Sequence, residues 1–211
     1  MEASNPITYT AFAGPTRIAA GTLADVAAEV KQRLLQGVAA PVAIFDDLEC
    51  RPVDLDWRGS LAEVLARLPK AESVPSKLAP VPEDASRGPG RPKLGVVARE
   101  ITLLPRHWDW LAGQPGGASV ALRKLVEGAR RANAEQDRVR QAREAAYRFM
   151  SAMAGNQPGF EEATRALFAG DAARFEQEIA AWPVDVHAYA TGLAFGQRMA
   201  GTAPAGANGA T

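Results

Sequence analysis

The chain has 211 residues, 47% of them hydrophobic, enough to bury a real core in one or two small domains and too apolar for a disordered chain. No run of eighteen apolar residues occurs and the N-terminus carries no basic start with an apolar stretch, so the expectation is a cytoplasmic protein with no membrane partner. A single cysteine, Cys50, excludes an internal disulfide and a cysteine zinc site, and the formal net charge of zero hides a split. Residues 1–86 hold 8 basic and 12 acidic side chains, residues 87–148 hold 13 and 6, and residues 149–211 hold 3 and 6. A basic block between two acidic ones points to an anionic partner for the middle of the chain.

In chain order, residues 1–68 read as a small α+β domain. Tyr9 to Phe12 is a strand, Gly14-Pro15 a turn, and a helix follows from Thr22, with Thr22 and Asp25 spaced as a capping pair. Leu23, Val26, Ala27, Val30 and Leu34 form its apolar stripe, and Gly37 stops it. Pro41–Phe45 and Pro52–Trp57 flank Asp46-Asp47 as a hairpin, with Val53, Leu55 and Trp57 alternating against Asp54, Asp56 and Arg58. Ser60 and Glu63 make a full capping box ahead of Leu61, Val64, Leu65 and Leu68.

Residues 69–95 are crowded with proline, lysine, serine and glycine and read as an extended linker. Its end, Arg87-Gly88-Pro89-Gly90-Arg91-Pro92-Lys93, resembles an AT-hook: proline keeps the chain extended, Gly90 lets the backbone sit deep, and Arg91 reaches a narrow A/T minor groove. Pro89 departs from that pattern, standing where an arginine usually precedes the central glycine. The bland alternative is a basic Pro/Gly linker.

Residues 96–131 read as strand, helix, turn and helix. The strand runs to Leu104, Pro105 opens a short helix to Ala112, Pro115-Gly116-Gly117 is a turn, and a second helix starts near Ser119 with Leu122, Leu125, Val126 and Ala129 on one face. This stretch resembles a ribbon-helix-helix repressor unit. The resemblance implies an obligatory homodimer whose paired strands enter the major groove. With Ile101 and Leu103 inward, the register that avoids exposing them, Ala98, Glu100 and Thr102 face the groove and Arg99 can swing to a phosphate. It also implies a phosphate at the second helix N-terminus, near Gly117, Ser119 and Arg123. A minor-groove arm ahead of a major-groove reader repeats the logic of homeodomain arms. Arg138, Arg140, Arg143 and Arg148 either add phosphate contacts or pair with Glu135, Asp137 and Glu144 on their own helix.

Residues 132–200 are helical: Phe160, Ala163 and Leu167 form one stripe, Asp171 caps a helix carrying Phe175, Ile179 and Trp182 that Pro183 ends, and Asp185 caps a last helix with Tyr189 and Leu193. Residues 201–211 read as a disordered tail. Gly-Arg-Pro-Lys-Leu-Gly95, Leu-Leu-Pro-Arg-His-Trp108, the Pro115–Val126 stretch and Ala-Tyr-Arg-Phe-Met-Ser-Ala-Met-Ala154 together resemble a bacterial family carrying a domain-of-unknown-function label, which implies no activity.

Nothing in the pattern points to an enzyme. His107 and His187 have no metal spacing, Cys50 has no paired histidine, and Asp46, Asp47, Glu49, Asp54 and Asp56 do not follow a calcium-loop pattern and read as a solvated acidic face. The expectation is a dimeric, nucleoid-associated DNA-binding protein, a transcription regulator or a nucleoid-type binder, preferring A/T-rich DNA and needing no cofactor or metal. The rival is an antitoxin-like or scaffolding protein that holds a protein partner through its C-terminal helices.

Overall fold

A computed structural model describes residues 7–37, 40–69 and 99–196. The fold is α+β, with elements β1 (Tyr9–Ala13), β2 (Thr16–Gly21), α1 (Leu23–Leu35), β3 (Val42–Asp46), α2 (Leu61–Arg67), α3 (Pro105–Ala112), α4 (Gly117–Ala154), α5 (Phe160–Ala169), α6 (Ala172–Ile179) and α7 (Val184–Phe195). By internal contacts the chain divides into two compact units, residues 1–68 with 135–211, and residues 69–134.

The first unit is built on an antiparallel sheet in the order β2-β1-β3. Side chains alternate across a strand, so neighbours in β1 serve different faces. Ala11 points to one face, where Val26 and Val30 of α1 and Ile44 of β3 join it; Tyr9, Ile18, Val53, Leu55 and Trp57 pack around them. Phe12 and Phe45 point to the other face and meet Phe149, Met150, Leu167, Phe175, Ile179, Trp182 and Val186 from α4 to α7. Rings of Phe12, Phe45, Phe149 and Tyr189 pack edge-on or tilted, with centroids 4.7–6.4 Å apart. The two ends of the chain therefore share one hydrophobic core around one sheet.

The helix starts follow the capping chemistry in the sequence. Thr22 and Ser60 are N-caps of α1 and α2, each with a reciprocal box to Asp25 and Glu63. Asp171 caps α6 by accepting from the Arg174 amide at 3.0 Å.

Three local expectations are corrected. Residues 16–21, assigned to no element from sequence, form β2, whose two alanines and terminal glycine give little strand signal. Residues 52–57 do not form a second hairpin strand. They touch β3 through one bridge, Phe45 to Pro52, and through the Val53 amide donating to the Ile44 carbonyl at 2.8 Å. Proline lacks the N–H a ladder needs, yet Val53, Leu55 and Trp57 keep their inward alternation. Asp185 does not cap α7, which starts at Val184 behind Pro183; its carboxylate accepts instead from the Arg17 amide of edge strand β2 at 2.8 Å. That contact occupies a backbone donor that an open sheet edge would otherwise present.

Candidate nucleic-acid interface

In the second unit, the strand expected to run to Leu104 does not form in the single chain: residues 99–104 have no regular structure, and Leu104, in an extended conformation, leads into α3. Pro105 stands at the first helical position, where its missing N–H is not needed. The Leu104 carbonyl accepts from the His107 and Trp108 amides at 2.8 and 3.3 Å. The turn to α4 rests on Gly116 and Gly117, both left-handed, with φ of +86° and +74°. A Cβ at Gly116 would lie 3.1 Å from Cβ of Val120, a tight contact that adds to the conformational demand for glycine in this turn.

The apolar side chains of this unit are largely uncovered. Leu111 and Ala121 are buried, while Ile101, Leu104, Trp108, Leu125 and Val126 are 42–64% exposed. At a helical repeat of 100° per residue, Ala118, Ala121, Leu122, Leu125 and Ala129 share one face of α4. Arg123, Lys124, Arg130 and Arg131 lie on the opposite, exposed side, with Glu127 between them accepting from Arg130 and Arg131. Those two guanidinium groups hold the Glu127 carboxyl below its ordinary range.

The sequence-predicted contacts distribute unevenly over this geometry. Arg87, Gly90, Arg91, Pro92 and Lys93 lie outside the described residues. Arg99, Glu100 and Thr102 are exposed on the segment ahead of α3. In the single chain Ile101 is 50% exposed and Leu103 is partly covered. The expected role of Gly117 at the start of α4 is revised. The helix begins at Gly117, and the Gly117 amide donates to the Gln114 carbonyl at 2.9 Å, so it cannot serve a phosphate in this arrangement. Ser119 and Arg123 are exposed, with Arg123 Nε donating to the Ser119 carbonyl at 3.1 Å.

The four arginines further along α4 have structural partners. Arg138 pairs with Glu135 and Arg140 with Asp137, both at 2.8 Å. Arg143 donates to the Phe168 carbonyl at 3.0 Å, and Arg148 donates to the Glu49 carbonyl and pairs with Glu144. Their arrangement is that of helix-stabilising pairs and interhelical ties.

In the first unit, the acidic stretch after β3 is a fold device and not a bare solvated face. Asp46 accepts from the amides of Leu48, Glu49 and Arg51. Asp56 takes a bidentate contact from Arg58, which holds its carboxyl well below the usual range. Asp47 Oδ1 accepts from the hydroxyls of Thr10 and Tyr189, both at 2.7 Å. Cys50 lies beside them, fully buried at φ +54°. Burial, then the charges of Asp46 and Asp47, push its thiol up and disfavour the nucleophilic thiolate. Burial likewise raises the Tyr189 phenol. Sequence reasoning missed this cluster, because its members are separated by 37 and 142 residues and no local pattern joins them. His187 pairs with Glu176 at 2.9 Å, and the His107 amide belongs to the first turn of α3.

No helix among the described residues is long and apolar enough to cross a membrane. No curated protein and no solved structure matches the chain. A family model matches residues 8–194, from the first strand through the last helix. The chain belongs to that family, which is described as an uncharacterized protein conserved in bacteria, DUF2239.

Proposed function

We propose that the protein is a dimeric bacterial DNA-binding protein, a transcription regulator or nucleoid-type binder. In this reading residues 99–104 of two copies pair as a ribbon in the major groove, and the Gly90-Arg91-Pro92 arm enters an adjacent A/T-rich minor groove. The observation that carries the reading is a segment without regular structure, α3, a two-glycine turn and α4 whose apolar side chains are left half bare. Ile101 is 50% exposed, Leu104 48% and Leu125 52%, in a segment too short to enclose its own core. Exposed apolar side chains in such a run mark a surface that another chain covers. Pairing two copies covers it and gives the unpaired backbone of 99–104 a ladder. The exposed Arg123 and Lys124, with the basic balance of residues 87–148, supply the charge that phosphates attract.

Replacing Arg91 tests the arm apart from the fold. Arg91→Ala weakens binding to A/T-rich duplex by about tenfold, the loss of one groove-inserted arginine, with an unchanged melting temperature. Equal affinities of the two proteins would remove the arm from the account. Thr102→Ala alters base preference within the site while leaving the salt dependence as it was; an identical preference profile would take base reading away from Thr102.

A further inference from the structure

α4 is a continuous helix of 38 residues, and its stripe of inward positions is treated in two ways. Steps of three and four residues link Leu122, Leu125, Ala129, Ala132, Gln136, Val139, Arg143, Ala146 and Met150. This is the 3.5-residue repeat of a coiled-coil seam. Ala146 and Met150 are fully covered by the chain's own core, and Arg143 is tied to the Phe168 carbonyl. From Leu122 to Val139 the same stripe lies bare or half bare, with Leu125 at 52% and Val139 at 36% exposure. Intrahelical ion pairs line the rest of this stretch, Glu127 with Arg130 and Arg131, Glu135 with Arg138, and Asp137 with Arg140.

We propose that residues 122–139 of α4 form a parallel, in-register coiled coil with the same residues of a second copy. This inference rests on the homodimer of the proposed function and extends its interface along α4. Charge selects the occupant and its direction. With Leu122, Ala129 and Gln136 at the first core position of each heptad, and Leu125, Ala132 and Val139 at the second, Glu135 and Arg140 fall on the two flanking positions. They are five residues apart, the separation at which a parallel pair brings a flank of one helix against the opposite flank of the other. Two copies thus form two Glu135–Arg140 pairs related by symmetry, whereas an antiparallel pair sets like flanks together and makes neither. In the single chain Glu135 is held by Arg138, and Arg140 by Asp137 and Glu144, through exposed side chains that can exchange partners. Gln136 is the one polar core residue of the stretch, a place where a polar side chain fixes register.

Cysteine scanning of the full chain tests this. The native Cys50 is fully buried, so it leaves the readout clean. Under mild oxidation Ala132→Cys and Val139→Cys each give a disulfide-linked dimer on a non-reducing gel, and Gln141→Cys, on the outer side, does not. Glu135→Arg or Arg140→Glu alone weakens the dimer roughly three- to tenfold at low salt, and the double exchange restores it. Linkage at only one of positions 132 and 139 would mean an antiparallel pair and overturn the proposal, as would linkage at neither. A chain that sediments as a dimer and binds DNA without these linkages would overturn the seam alone. A chain that stays monomeric would overturn the seam and the dimeric reading together.

Discussion

Asp47 shows how far a single side chain can reach in this fold. It sits in the turn after β3, and it accepts from Thr10 of β1 and Tyr189 of α7, so one carboxylate joins both ends of the chain. Tyr189→Phe removes one of these charge-assisted bonds and should lower stability by about 1–3 kcal/mol in urea titration; a midpoint within error of the wild type would deny the tie any weight. Cys50 gives a second test. Its folded-state pKa is raised above the ordinary thiol value of 9.0, and that of Tyr189 above 10.0. The folded state therefore holds both protons more tightly than the unfolded chain, and their contribution is fully present below pH 9. As pH climbs above these ordinary values, stability should fall by up to about 1.4 kcal/mol per pH unit for each group. Urea titrations between pH 8 and 10.5 check this; a flat profile would contradict the burial of both groups. Neither group was legible in the sequence as part of a cluster, because proximity across 142 residues leaves no periodic trace.

At the scale of elements, the features set by neighbouring residues were the readable ones. The Thr22 and Ser60 capping boxes and the Asp171 cap depend on contacts within three residues, and each forms where its spacing places it. β2 escaped because Ala19, Ala20 and Gly21 carry almost no strand preference, and only pairing with β1 makes them a strand. Asp185 misled for the opposite reason: its local spacing fits a cap, but the edge of β2 claims the carboxylate. In the candidate interface, Gly116 is the element-level pivot. Gly116→Ala imposes a left-handed alanine and a contact with Val120, and should cost about 1–2 kcal/mol. It should also reduce DNA affinity, which anisotropy of the variant on A/T-rich duplex would check; full affinity would separate the turn from the interface.

For the whole molecule, charge and periodicity revealed a basic middle and an α+β fold, and they left the shared core unseen. Phe12 and Phe45 alternate properly in their strands, and Phe149 and Phe175 fit helical stripes, but period alone does not say that the two sets meet. The bare apolar side chains around Leu104 and Leu125 also needed coordinates, since a sequence cannot tell a covered leucine from an uncovered one. Leu125→Lys places a charge on that face and should shift the chain from dimer to monomer in sedimentation, with circular dichroism unchanged; a dimer that persists would place the contact elsewhere. The proposed DNA binding by a basic, dimeric unit belongs to this scale. Fluorescence anisotropy of the wild-type chain on A/T-rich and G/C-rich duplexes across a salt series tests it most directly. The expected result is tighter binding to the A/T-rich duplex and a log–log salt slope of several units, near −0.9 for each phosphate neutralised. Absence of binding to both duplexes at low salt would contradict it.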